Sequence, residues 1–209
     1  MRLILASTSP YRRTLLSRLM LDFDVEDPAA DETPAPGEAP LALARRLALA
    51  KAQSVAGRRA GCVVIGSDQV ATLDQRTPIG KPGNADRARR QLLDASGRTM
   101  WFHTAFAVVA PGREPIVESV PVEVRFRPLD PAHVDRYLAL EAPFDCAGSA
   151  KSEGLGVALL EEIRTTDQTA LVGLPLIRLA AALRAVGIDP LAPAPTQAVP
   201  SDAAPADAR

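Results

Sequence analysis

Apolar positions in this chain fall in short blocks whose spacing switches between strand and helix, starting within the first residues. Leu3, Ile4 and Leu5 read as a buried strand, which a hydroxyl-rich turn of Ser7, Thr8 and Ser9 interrupts. Pro10 then opens a helix, because proline suits the first helical position and Ser9 before it is a good N-cap. A short strand, Phe23–Val25, precedes a Pro- and acid-rich loop from Asp27 to Pro40. Leu43, Leu47 and Ala50 fall on one side of a helix expected from about Leu41 to Ala56. Cys62 to Gly66 is a continuous apolar run, as in a strand covered on both faces. Ile79 to Gly83 forms a turn, and Asn84 caps a helix to about Ser96. Trp101 to Val109 and Val117 to Phe126 read as long strands joined by a turn at Pro111-Gly112. A helix from Asp130-Pro131 to about Leu140, a strand Val157–Ile163 and a helix from about Leu174 to Val186 complete the pattern.

Helices alternate with strands early and a longer antiparallel section follows, so the fold class is mixed α/β. One domain is expected over residues 1–190, with the Pro- and Ala-rich stretch 191–209 read as a disordered tail. The 209 residues are 47% hydrophobic, enough for a real core. A net charge of −1 argues against a nucleic-acid coat or a membrane-surface protein. No apolar run approaches the ~20 residues of a spanning helix, and no signal-peptide core is visible. Two cysteines are too few for a disulfide framework, so Cys62 and Cys146 are expected as reduced thiols in a cytoplasmic protein.

The chemistry begins at the first helix. Arg12 and Arg13 lie in its first turn, where the helix dipole already disfavours cations. An anion held among backbone N–H groups, hydroxyls and guanidinium forks would account for them. A capped amphipathic helix with solvated arginines accounts for them equally well. Asp68 ends the buried strand, where α/β sheets bind ligands, although an Asx turn or a helix cap is the commoner use of such an acid. Glu32 sits in the long acidic loop, where simple solubility would also explain it. Lys51 lies on the apolar stripe of its helix, so its ammonium either snorkels to solvent or points into a cleft. Lys81 projects from a rigid Gly-Lys-Pro turn. There is no Walker A loop and no strand followed by GxGxxG, which removes the common ATPase and dinucleotide-binding readings. Carboxylates with these cations make the composition of a metal-assisted phosphoryl-transfer site.

Seven segments in order carry a resemblance: LASTSPYRRTLL, Asp31-Glu32-Thr33, Lys51-Ala52, Gly66-Ser67-Asp68, Gly80-Lys81-Pro82, Ala147-Gly148-Ser149 and Leu171-Val172-Gly173-Leu174-Pro175. Together they resemble the Maf family of nucleoside triphosphate pyrophosphatases over roughly residues 2 to 190. The resemblance implies a Maf/inosine-triphosphatase-like mixed sheet with flanking helices, in two lobes around a central cleft. It implies Asp68 as the catalytic acid, with Ser7, Arg12, Arg13, Lys51 and Lys81 binding the substrate. A divalent cation, Mg²⁺ or Mn²⁺, is expected on Asp68 and Glu32. The partner is a small nucleoside triphosphate, and the resemblance leaves room for a homodimer. Ala105 departs from the family, which commonly has glycine there, and Asp167-Gln168-Thr169-Ala170 departs before the Val-Gly-Leu-Pro.

Tyr11, Gln69 and the run Lys151-Ser152-Glu153-Gly154 look like the branch of the family that hydrolyses 7-methyl-GTP. N7-methylation makes guanine a cation, which favours an aromatic face such as Tyr11. Glu153 would accept from guanine N1–H and the 2-amino group, and Gln69 would read another edge. Two alternatives remain: a pyrophosphatase of the same fold acting on dTTP, UTP or noncanonical nucleotides, and a nucleotide-binding regulator of septum formation.

Overall fold

The computed structural model describes residues 1–192, so all but the first two residues of the expected tail lie outside the described residues. Six strands form one sheet in the order β2-β1-β3-β4-β5-β6. β1 (Leu3–Ala6) runs parallel to both β2 (Phe23–Glu26) and β3 (Val63–Thr72). β4 (Thr99–Val109), β5 (Ile116–Phe126) and β6 (Leu160–Thr165) continue from β3 as an antiparallel meander. Five α-helices among the described residues flank the sheet: α1 (Pro10–Ser17), α2 (Pro40–Ala56), α3 (Ala85–Ala95), α4 (Pro131–Glu141) and α5 (Leu176–Ala185).

The pleat assigns each strand residue to a face. Leu3, Leu5, Val63 and Ile65 point to the layer of α1 and α5, where Leu15, Leu16, Leu179 and Leu183 meet them. Ile4, Ala6 and Val64 point the other way, onto α2. A separate core joins α3 and α4 to the far ends of β4 and β5 through Met100, Phe102, Val122, Val124 and Phe126. On the face shared by the α1/α5 core and this far core, polar Ser67, Gln69 and Thr104 stand between the two apolar clusters. The two lobes expected from the sequence are these two packed ends, and the polar strip is their boundary.

Two strands differ from the sequence expectation. β3 does not stop at Gly66 but runs to Thr72, because Ser67 to Thr72 stay paired with β4. Asp68 therefore sits mid-strand. It does lie just past the parallel pairing, since β1 ends at Ala6 opposite Gly66. β6 starts at Leu160, not Val157, because residues 155–159 form a 3₁₀ turn. Gly156 packs there so tightly that an added Cβ would lie 2.3 Å from the Lys151 carbonyl oxygen.

The close approach of α2 to β3 sets the height of Lys51 over the sheet. Leu43, Ala44, Leu47, Ala48, Lys51, Ala52 and Val55 form the buried stripe of the helix. Alanines at 44, 48 and 52 let its backbone press onto Gly66, where a Cβ would lie 2.2 Å from the Ala48 oxygen. Only glycine fits there, and this contact brings Lys51 level with the residues just beyond Gly66.

Candidate active site

Where β1 leaves the sheet after Ala6, β3 loses its neighbour on that side. The chain returns to this edge only at Ile79, whose N–H donates to the Ala71 carbonyl at 2.7 Å. Residues 67–70 thus border a window between the two lobes. A cleft of about 590 Å³ opens there, lined by the Ser7–Arg12 turn, the 27–34 loop, α2, Asp68, Gly80-Lys81 and Asp145. That volume is in the usual range for a small-molecule site.

The turn after β1 is held from within. Ser7 is buried, and its hydroxyl accepts from the Ser9 N–H at 3.2 Å. Ser9 is the N-cap of α1, as the sequence predicts, accepting from Arg12 N–H. Arg12 turns inward and donates through Nε to the Gly173 carbonyl at 3.0 Å. Gly173 has φ +118, a conformation that favours glycine. Its carbonyl also accepts from the Ser67 hydroxyl at 2.9 Å, which ties the arginine to β3. Burial lowers the pKa of Arg12, while the nearby charges of Asp68 and Glu32 oppose the shift.

Lys51 is the centre of the charged cluster. Its ammonium, on a side chain 5% exposed, lies 2.6 Å from Asp68 and 2.5 Å from Glu32. The sequence leaves its direction open between solvent and cleft; the structure turns it into the cleft. Burial would raise the Glu32 carboxyl, but hydrogen bonding and charge from Lys51, with Lys81 and Arg12 beyond, carry it below its ordinary value. Lys81 is exposed on the opposite rim. Among the described residues no group of three or more His, Cys, Asp and Glu side chains gathers to hold a metal. Magnesium commonly binds through one or two carboxylates plus substrate phosphates, however. Asp68 and Glu32, whose oxygens already converge on one cationic atom, fit that donor set.

The lining of the cleft also includes an aromatic ring. Tyr11 donates its hydroxyl to Asp145 at 3.0 Å. Lys151 places its ammonium 3.7 Å from Asp145 and 5.9 Å from the centre of the Tyr11 ring. Burial is the main reason the Tyr11 hydroxyl titrates above its ordinary value; Asp145 adds to the shift and Lys151 opposes it.

The Maf-like protein family matches residues 2–186, nearly the whole described chain. The chain belongs to the Maf family. A protein of Bordetella avium named 7-methyl-GTP pyrophosphatase is 55% identical over 190 residues, covering 91% of this chain and 95% of the relative. One of the same name from Xanthomonas oryzae pv. oryzae is 56% identical over 186 residues, covering 89% and 97%. Among solved structures, a dITP/XTP pyrophosphatase from Mycobacterium abscessus aligns at 18% identity and a TM-score of 0.48, covering 88% of this chain and 94% of that one.

Of the residues that the Maf resemblance implies, the fold brings Ser7, Tyr11, Arg12, Glu32, Lys51, Asp68, Gln69 and Lys81 to one cleft. It does not bring Arg13 or Glu153 there. Arg13 is one helical step, about 100°, from Arg12. It lines a shallow groove on the outer side with Asp22 and Asp24. Glu153 is exposed on the 151–154 turn, against the Ser152 hydroxyl. Gln69 borders the cleft, but its amide nitrogen is shared among Thr104 Oγ1 and the carbonyls of Ala170 and Leu171, at 2.9 to 3.0 Å. Only its carbonyl oxygen is left to meet a base.

Sequence reasoning misses Asp145, and it names the loop from Asp167 to Gly173 only as a departure and a family segment, without a role. Asp145 carries no periodic signal, being one loop acid among several. The loop could be suspected from Gly173 inside Val-Gly-Leu-Pro. Asp167 is buried and accepts from Thr169 and from Ile177 N–H at the start of α5. Its departure from the usual Maf pattern is therefore built into a hydrogen-bonded loop whose carbonyls hold Arg12, Ser67 and Gln69.

Proposed function

We propose that this Maf protein hydrolyses 7-methyl-GTP to 7-methyl-GMP and pyrophosphate, a house-cleaning activity against modified nucleotides. One observation carries the reading: a single cleft of nucleotide size is lined both by Asp68 among cations and by an aromatic ring beside a carboxylate. The name shared by relatives more than half identical along nearly their full length supports the same substrate.

The roles follow from position. The triphosphate lies along the Ser7–Arg12 turn, its charge met by Arg12, Lys51 and Lys81. Asp68 orients a water and takes its proton as the oxygen attacks the α-phosphorus. The bond from the α-phosphorus to the bridging oxygen breaks, and pyrophosphate departs into the same cations. Asp68 and Glu32 would hold a divalent cation, Mg²⁺ or Mn²⁺, which when bound neutralises charge on the phosphates. Lys51 belongs to both sets: it contacts the two carboxylates and lines the cleft where phosphate would lie. At the far end Tyr11 stacks on the methylated base. Glu153 is outside the lining, so its contact with the guanine edge requires the 151–154 turn to close on the base. The reading includes a cytoplasmic setting, which the unpaired cysteines Cys62 and Cys146 support. Burial, chiefly, pushes the Cys146 thiol up to about 12.

The test is a panel of nucleoside triphosphates with Mg²⁺ or Mn²⁺, with the products identified. The expected order of kcat/KM is 7-methyl-GTP, then GTP, then UTP and dTTP, with activity lost to a chelator and restored by the metal. Equal values for 7-methyl-GTP and dTTP would overturn the base assignment.

A further inference from the structure

The aromatic end of the cleft already holds a cation, and that cation comes from the protein. Lys151 lies 5.9 Å from the centre of the Tyr11 ring and 3.7 Å from Asp145. Its ammonium also interacts with the Tyr11 hydroxyl and, at a long 3.4 Å, with the Glu141 carbonyl. An aromatic face flanked by a carboxylate is the general means of seating a cation. Tyr11 is fixed in that arrangement because its hydroxyl is bound to the other Asp145 oxygen. Asp145 lines the cleft and is 55% exposed.

We propose that Asp145 is a specificity-determining residue, the counter-charge for a cationic purine ring on Tyr11, and that Lys151 is the internal occupant which that ring displaces. The idea rests on the 7-methyl-GTP reading of the site. A neutral guanine gains nothing from Asp145 as a charge, and it meets Lys151 without repulsion. A 7-methylguanine ring carries its positive charge on the imidazole side. It competes with Lys151 for the same ring face and the same carboxylate. The two residues therefore push selectivity in opposite directions, Asp145 towards the methylated base and Lys151 against it.

Two substitutions separate these roles. Asp145→Asn keeps an oxygen for the Tyr11 hydroxyl and removes only the charge. Lys151→Met keeps the aliphatic stem and removes the competitor. The quantity read is the ratio of kcat/KM for 7-methyl-GTP to that for GTP in each purified variant, at low and at high salt. GTP in the same preparation controls for folding. Because the site is half open to water, Asp145→Asn should lower the ratio by roughly fivefold and Lys151→Met should raise it by roughly threefold. Added salt should raise the ratio of Asp145→Asn, where the repulsion of Lys151 stands unopposed, and lower that of Lys151→Met, where only the attraction of Asp145 is left. An unchanged ratio in Asp145→Asn, beside a clear wild-type preference for 7-methyl-GTP, would overturn the assignment of Asp145. A fall in Lys151→Met would overturn the competitor role. A wild type with no such preference would instead overturn the substrate reading.

Discussion

Replacing Lys51 by methionine removes one ammonium and keeps the apolar stem that lies along the buried stripe of α2. The two carboxylates it joins are affected unequally. Asp68 is 11% exposed and loses a close partner in a nearly dry place, whereas Glu32 is 59% exposed and water takes over most of its solvation. Leaving a buried charge unpaired costs about 3–5 kcal/mol, but Arg12 stays close to Asp68 and water reaches Glu32, which together bring the expected loss to about 2 kcal/mol. In a domain of this size that lowers Tm by about 4–8 °C at neutral pH. The pH dependence has a definite sign. Glu32 is held below its ordinary value in the folded protein, so its pairing stabilises above its unfolded pKa and is lost as pH falls through the folded one. The gap in Tm between wild type and Lys51→Met is therefore widest near neutrality and closes as pH drops below about 4.5. Thermal unfolding followed by fluorescence across that range measures it. Triphosphate turnover by the same preparation should fall at least about thirtyfold, since the ammonium also holds phosphate. A variant with the wild-type Tm at every pH would refute the bridging role of Lys51. A lowered Tm with turnover intact would refute its phosphate role.

The same geometry sets three further outcomes. Asp68→Asn should lower kcat by about 10²–10⁴ with KM little changed, and calorimetry should show that it still binds the nucleotide. Arg12→Ala should lose tenfold or more in kcat/KM, whereas Arg13→Ala should stay within about twofold, because only the first is turned into the cleft; equal losses would contradict the placement of Arg13. Gly66→Ala should lower Tm by an amount equivalent to about 1–3 kcal/mol and cut turnover as well, because its Cβ would lie 2.2 Å from Ala48 O and push α2, with Lys51, off the sheet.

Much of the phosphate end is legible in the sequence because local rules govern it. Three apolar residues, a hydroxyl turn and a proline specify strand, cap and helix start, and the fold keeps Ser9 as the cap of α1. Lys51 is conspicuous as a charge on an apolar stripe. The remainder depends on what lies opposite. Neither Arg12 nor Arg13 shows from its own neighbourhood which one faces inward; the Gly173 carbonyl, 161 residues away, makes that selection. Ser67, Asp68 and Gln69 break the apolar run after Gly66 and so read as the end of β3, yet β4 pairs with the strand to Thr72. The hydroxyl of Ser67 and the amide of Gln69 are satisfied across the sheet by carbonyls at 105, 170, 171 and 173. At the base end Tyr11 stands out in the sequence, but its carboxylate partner Asp145 does not. That contact spans 134 residues and leaves no trace in local spacing.

The most direct measurement is hydrolysis of 7-methyl-GTP in water enriched in oxygen-18, with both products analysed by mass spectrometry. Attack on the α-phosphorus by a water held at Asp68 predicts one heavy oxygen in 7-methyl-GMP and none in the pyrophosphate. Heavy oxygen in the pyrophosphate, or a diphosphate with labelled orthophosphate, would contradict it.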